Sequence, residues 1–204
     1  MQLMASRRDL KLTLAGLLVL VAILGIVTYR LLPASQPAGT GQALIGGPFA
    51  LTDNHGQKVT EASYAGRYML IYFGYTYCPD ICPLGLQNMM AAYDALPADM
   101  REQVVPIFIT VDPERDTVEA MADYVGLFSP SLVGLTGTTK ETDAAAKAYR
   151  VYHATVKDEA TSANYLVDHS AFFYLMGPDG RYVSHFSPSA TPEEMTAGIE
   201  DALG

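Results

Sequence analysis

The sequence predicts an α/β domain built on a central mixed sheet, carried behind a single N-terminal membrane-spanning helix. Three observations predict it. Two strongly apolar runs of strand length, "YMLIYFGY" (68–75) and "VVPIFITVD" (104–112), are each followed by a stretch with helical apolar spacing. Strand then helix, twice, implies right-handed crossovers and a sheet covered on both faces. Ahead of these lies "LTLAGLLVLVAILGIVTY", Leu12 to Tyr29, 18 residues without a charge and long enough to cross a bilayer.

Arg7, Arg8 and Lys11 precede that apolar run, against Arg30 alone just after it. The positive-inside bias therefore keeps residues 1–11 in the cytoplasm and places everything after the span outside it, in a periplasm or equivalent compartment. A cleaved signal peptide is the alternative, but it has a shorter apolar region, and "LLPASQPAG" lacks an A-x-A cleavage site. "SRRDLKL" also resembles a twin-arginine signal. The length and continuity of the apolar run favour an uncleaved anchor over residues 12–32. Residues 33–45, "PASQPAGTGQALI", read as a flexible tether, which leaves residues 46–204 as the exported domain.

The elements of that domain follow in order. "FALTDNHGQKVT" is two short strands about an Asn-His-Gly turn. "YMLIYFGY" is a strand buried on both faces, and "PLGLQNMMAAYDAL" (83–96) is the helix after it. "VVPIFITVD" is the second buried strand, followed by the helix "TVEAMADYVGLF" with Thr117 as N-cap. The strand "LVGLTG" leads into a helix, "TKETDAAAKAYRVY" (139–152). "AFFYLMGPDGRYVSHFS" is a hairpin closed by Pro-Asp-Gly. "TPEEMTAGIEDAL" is a last helix, with Thr191 at N-cap, Pro192 at N1 and Glu194 at N3.

The chain has 204 residues, half of them hydrophobic, and a net charge of −9. Residues before 33 hold four bases and one acid, so the remainder carries 9 bases against 21 acids, a charge of −12. A domain so acidic does not suit nucleic acid or anionic lipid; the charge fits a basic partner surface or serves solubility alone.

Both cysteines, Cys78 and Cys82, fall in "FGYTYCPDICPLGL", where the first buried strand hands over to its helix. Ligands gather at that edge of an α/β sheet. Two thiols in an exported domain can form a disulfide, run redox chemistry or hold a metal. As a staple their loop is too short to remove much unfolded-state entropy. A proline inside a helix clashes with the carbonyl four residues earlier. Regular helix is therefore expected from Pro83 onward, with both cysteines in an irregular turn before it. There a disulfide and a shared metal ion are both sterically possible.

A third ligand would separate these readings, and the chain has four histidines. His55 sits in a turn. His153 follows a helix expected to end near Tyr152, where a helix-dipole role suffices. His185 lies in a hairpin strand facing solvent. His169, beside Asp168 in "NYLVDHSAFFYL", stands in the polar approach to a buried strand and is expected to begin a central one.

"TYCPDICP", "VDPERDT" and "DHSAFFYLMGPDG", in this order behind a membrane anchor, resemble the Sco/SenC family of copper proteins over roughly residues 45 to 202. The resemblance implies a thioredoxin-like fold. It implies that Cys78, Cys82 and His169 bind copper, and that the protein helps build the binuclear copper site of cytochrome c oxidase. The copper-site subunit of that oxidase is then the partner, with another copper carrier as a possible donor. Two soft thiolates with an imidazole suit Cu(I), and the imidazole also permits Cu(II). Asp168 would orient the imidazole or set its charge. Asp112, in "VDPERDT", would either stabilise the site loop or cap the following helix.

The rival is an enzyme, a membrane-anchored thiol–disulfide oxidoreductase or a thiol peroxidase. Redox proteins of the thioredoxin type usually show C-x-x-C, one residue tighter than here. They also usually carry a cis-proline just before the strand facing the thiols, where this chain has Asp-His-Ser. Nothing in "YCPDICP" marks one thiol as the privileged nucleophile a peroxidase needs. Copper transfer, with an accessory thiol-reducing step, is the favoured reading over dedicated catalysis.

Overall fold

The computed structural model describes residues 45–157 and 165–204. The expected anchor and nearly all of the tether lie outside these residues, as does most of "KDEATSAN". Among the described residues no helix is long and apolar enough to cross a membrane.

Strands β1 (Ala50–Asp53) and β2 (Lys58–Thr60) flank the Asn-His-Gly turn as expected, and a 3-10 turn follows at Glu61–Tyr64. The apolar run forms β3 (Tyr68–Gly74), with six of its seven residues buried. Helix α1 (Ile81–Ala95) and the short α2 (Ala98–Arg101) lead to β4 (Val104–Thr110), which is buried throughout. Then come α3 (Val118–Gly126), β5 (Val133–Thr136) and α4 (Thr139–Ala148). A hairpin, β6 (His153–Lys157) with β7 (Tyr165–His169), precedes β8 (Phe173–Met176), β9 (Tyr182–Phe186) and α5 (Pro192–Leu203).

The strands make a seven-stranded sheet in the order β2-β1-β5-β4-β3-β8-β9, and β6-β7 form a separate two-stranded sheet. β3, β4 and β5 run parallel, with antiparallel strands on either side. The register pairs Gly74 with Thr110. The loops leaving β3 and β4 therefore emerge side by side at one edge. The core of Leu70, Ile71, Tyr72, Phe73, Ile107 and Phe108 lies directly beneath that edge.

The predicted caps at Thr117 and Thr191 are present, and Thr138 adds one that was not expected. Thr117 Oγ1 accepts from the Ala120 N–H at 3.2 Å. Thr138 with Glu141, and Thr191 with Glu194, close capping boxes that satisfy orphan amides at both helix starts.

Three expectations need correction. Helix α1 begins at Ile81 rather than Pro83, so Cys82 lies in its first turn. Proline is tolerated there, because its missing N–H would have had no helical partner in any case. Helix α4 ends at Ala148, well short of Tyr152. Arg150 takes a left-handed φ of 59°, Val151 N–H reaches the Ala146 carbonyl at 2.8 Å and Arg150 N–H the Lys147 carbonyl at 3.2 Å. That is a Schellman ending with arginine where glycine is usual, so no glycine marks the stop. Finally, His169 ends β7 and does not begin a central strand. The β6-β7 hairpin was unforeseen because its strands are mostly half-exposed and lack an apolar run.

Candidate metal centre

The sulfur half of the site is built on the C-terminal edge of the parallel strands. Beyond Gly74 the chain crosses the edge through Tyr75–Asp80 and enters α1. Gly74 is needed there: a Cβ would sit 2.8 Å from the Cys82 sulfur and 2.8 Å from the Phe108 ring. The loop is tied down by Asp116, which is fully buried. Its carboxylate accepts from the Thr76 N–H at 3.0 Å, the Thr76 hydroxyl at 2.5 Å and the Thr110 hydroxyl at 2.5 Å. Its own carbonyl accepts from the Thr136 hydroxyl at 2.6 Å. One side chain thus joins the cysteine loop to β4, and its backbone joins β5. Burial pushes the Asp116 pKa up, and the hydrogen bonds from Thr110 and Thr76 work against that shift.

Cys78 Sγ accepts from the Cys82 N–H at 3.4 Å. That amide belongs to the first turn of α1, where backbone donors lack helical partners. The sulfur therefore does the work of an N-cap, at the positive end of the helix, which favours thiolate. Cys82 Sγ lies 3.3 Å from His169 Nε2. His169 Nδ1 lies 3.1 Å from the Ser170 carbonyl oxygen, which can only accept. The proton of a neutral imidazole therefore sits on Nδ1, and Nε2 turns a lone pair toward the sulfurs. The Tyr72 and Tyr75 rings stand edge-on to the imidazole, with centroids at 6.4 and 5.9 Å.

The three donor atoms lie within 4.8 Å of one another. Cys78 and His169 are 8% and 7% exposed, and Cys82 is sealed. A cleft of about 330 Å³, lined by Tyr75, Cys78, Ile81, Val156, Val167 and His169, opens onto them. Two soft sulfurs and one imidazole nitrogen, reached from one side, fit a small thiophilic cation.

The thiols are not equivalent, although the sequence marks neither. The hydrogen bond from Cys82 pulls the Cys78 pKa down to about 4, with further help from the Asp80 and Cys82 amides, against the cost of burial. The same bond, burial and the Cys78 charge push Cys82 far up. The pair shares one proton, held on Cys82, and Cys78 is the ready thiolate.

The remaining expected residues are placed differently from one another. His169 joins the cysteines, whereas His55 is exposed in its turn, His153 pairs with Asp143 at 3.3 Å, and His185 shares a hydrogen bond with the Tyr182 phenol. Asp168 alternates to the exposed face of β7 and stands at the cleft's rim. It is the Ser170 carbonyl that orients the imidazole. Asp112 is buried, and the cap of α3 is Thr117 instead. Asp112 accepts from Arg115 Nε and, at 2.9 Å, from the Tyr165 phenol, whose pKa burial and Asp112 raise to about 12. Arg115, Asp116 and Tyr165 are the residues that sequence reasoning missed. The signal available was the density of charge in "VDPERDT", beside a buried strand end.

Comparison with known proteins places the chain among relatives of one family. The SCO1/SenC family model matches residues 37–204. The human protein named "Protein SCO1 homolog, mitochondrial" is 47% identical over 161 residues, covering 78% of this chain and 53% of its own length. The chain thus spans about half the length of that relative. Among solved structures, Arabidopsis thaliana ScoI with copper bound is 42% identical with a TM-score of 0.72, covering 78% of this chain and 98% of that one. Bradyrhizobium japonicum ScoI with copper bound is 44% identical with a TM-score of 0.70, covering 77% and 98%. The shared architecture is thioredoxin-like, with a central mixed sheet.

Proposed function

This chain belongs to the SCO1/SenC family, and on that premise we propose that it is a membrane-anchored copper carrier. Cys78, Cys82 and His169 hold the ion as cargo. Its recipient is the binuclear copper site of cytochrome c oxidase, on the oxidase's copper-site subunit, to which it delivers the metal or whose thiols it prepares. Residues 12–32 anchor it, 33–45 tether it, and 46–204 work in the periplasm or an equivalent space. Copper-bound relatives of the same fold support the choice of metal.

One observation carries the reading: two sulfurs and an imidazole nitrogen converge within 4.8 Å at the floor of an open cleft. Two thiolates satisfy Cu(I), and the Nε2 lone pair adds what Cu(II) prefers. Three ligands leave one side open to an incoming partner thiolate, which a carrier needs and a permanent store does not. Because Cys78 is already ionised, loading at neutral pH displaces one proton, that of Cys82.

The inequality of the thiols favours a second activity, reduction of a target disulfide with Cys78 as the attacking sulfur. Atomic absorption on the reduced full-length protein in detergent separates the two. The carrier reading expects one copper per chain, with Cu(II) lost in His169→Ala. Full copper binding by His169→Ala together with lost disulfide reductase activity would hand the site to the redox reading.

A further inference from the structure

His169 stands on the one strand pair, among the described residues, that is not part of the central sheet. β6 and β7 pair only with each other, and of their ten residues only Val167 and His169 are buried. Such a hairpin has too little apolar burial to fix itself, yet its last residue must meet a sulfur at 3.3 Å. Its His169 end is stitched by Ser170 N–H to the Tyr152 carbonyl at 2.9 Å and by Tyr152 N–H to the Ser170 hydroxyl at 3.3 Å. The other end, at Tyr165, is about 13 Å away along the strand. Midway, Val167 is buried and its backbone bonds Tyr75 of the cysteine loop. The far end still needs a tie of its own, so what holds Tyr165 helps set the angle of the imidazole.

Arg115 holds it. Its Nη1 donates to the Tyr165 carbonyl at 3.1 Å, and its guanidinium carbon lies 3.7 Å from the centre of the Tyr165 ring. The same group also faces the rings of Tyr77, at 4.8 Å, and Tyr75, at 5.7 Å, both in the cysteine loop. Its Nε donates to Asp112, and Asp112 also accepts from the Tyr165 phenol. One planar cation therefore joins the loop after β4, the cysteine loop and the far end of the histidine arm. A planar guanidinium can stack and donate at once, which a lysine cannot.

We infer that Arg115 is a positioning residue, a latch whose engagement with Tyr165 sets whether His169 is presented to the cysteine pair. The latch rests on the copper-carrier reading only for what it presents the histidine to; the clamping itself does not require metal. The cysteine loop keeps its own ties from Thr76 to the buried Asp116 when Arg115 lets go, so loosening the latch moves the nitrogen more than the sulfurs. The signature is thus a loss greatest in what the imidazole supplies.

Hydrogen exchange on the reduced, metal-free full-length protein in detergent tests the clamp directly. In Arg115→Ala, peptides covering β6 and β7 should exchange on the order of tenfold faster, while those covering β3 and β4 stay as protected as in wild type. Arg115→Lys should fall between, and Tyr165→Phe, which keeps the ring and loses only the bond to Asp112, should show the smallest change. Titration with aqueous Cu(II) should then show affinity reduced about 10–100-fold in Arg115→Ala, with Cu(I), measured against a chelator, reduced less. Unchanged exchange in β6 and β7 overturns the latch, and so does an equal loss of Cu(I) and Cu(II). If Arg115→Ala loses protection everywhere, Arg115→Lys and Tyr165→Phe decide, and global loss in these too makes Arg115 a folding residue and ends the proposal. A wild type that binds no copper refutes the carrier reading, while the exchange result still decides the clamp.

Discussion

The two halves of the site are made by different kinds of structure. The cysteines sit on an edge whose strands are buried on both faces, with Gly74 cleared to let a sulfur pack and a buried carboxylate holding the loop. The histidine sits on a half-exposed hairpin held by an arginine, a few backbone bonds and one surface contact, His153 with Asp143. Sulfur positions are thus enforced by packing, which has little freedom to yield. The nitrogen position is enforced by polar ties that can be removed singly. The difference teaches that a mixed ligand set can be divided between a fixed part and an adjustable part.

The strongest attempt to break this comparison is to exchange ligands between halves. Cys82→Ser should abolish tight Cu(I) binding, because a hydroxyl cannot replace a soft thiolate. His169→Ala should keep weakened Cu(I) binding, lose Cu(II) almost entirely, and leave Cys78–Cys82 disulfide formation intact. Competition with a chromophoric chelator measures the first, and absorption of the Cu(II) adduct the second. Equal Cu(I) losses in the two variants would erase the division.

A packing comparison comes next. Gly74→Ala drives a methyl against the Cys82 sulfur and Phe108 and should cost about 1–3 kcal/mol by overpacking. Val156→Ala, at a half-exposed hairpin position, should stay within about 0.5 kcal/mol. Urea unfolding of the reduced protein gives both, and a similar cost at the two sites would contradict the contrast.

Titration sharpens it further. Between about pH 4 and the ordinary thiol value of 9.0 the native pair holds one proton, whereas two unfolded thiols hold both. The unfolded state binds more protons, so stability of the reduced, metal-free protein should rise with pH across that window. The gain is lost as pH falls through about 4. The slope should vanish in Cys78→Ser and persist in His169→Ala, because Cys82 is the main cause of the shift. At pH 6 iodoacetamide should modify Cys78 well before Cys82, which peptide mapping will show. The smallest effect is expected at the rim: Asp168→Asn should change stability by no more than about 0.5 kcal/mol and leave Cu(II) absorption in place, because the Ser170 carbonyl holds the ring.

The strands of the central sheet, the helix caps at Thr117 and Thr191, and the three candidate ligands were legible in the chain itself. Uninterrupted apolar runs have few alternatives to a buried strand, and a threonine before a helical pattern carries its hydrogen bond locally. Cysteine and histidine declare their chemistry by type. What the tertiary structure decided is everything that depends on partners distant in sequence. The exchange of Asp168 for a backbone carbonyl as the holder of the imidazole turns on which face of β7 each residue takes. The inequality of Cys78 and Cys82 arises from a helix start two residues earlier than expected and from one shared proton. Arg115 reaches Tyr165 across 50 residues, and Asp116 reaches Thr76 across 40. Local pattern fixes what each segment becomes. The long-range pairing of polar groups, which only folding brings together, decides how its chemistry is aimed.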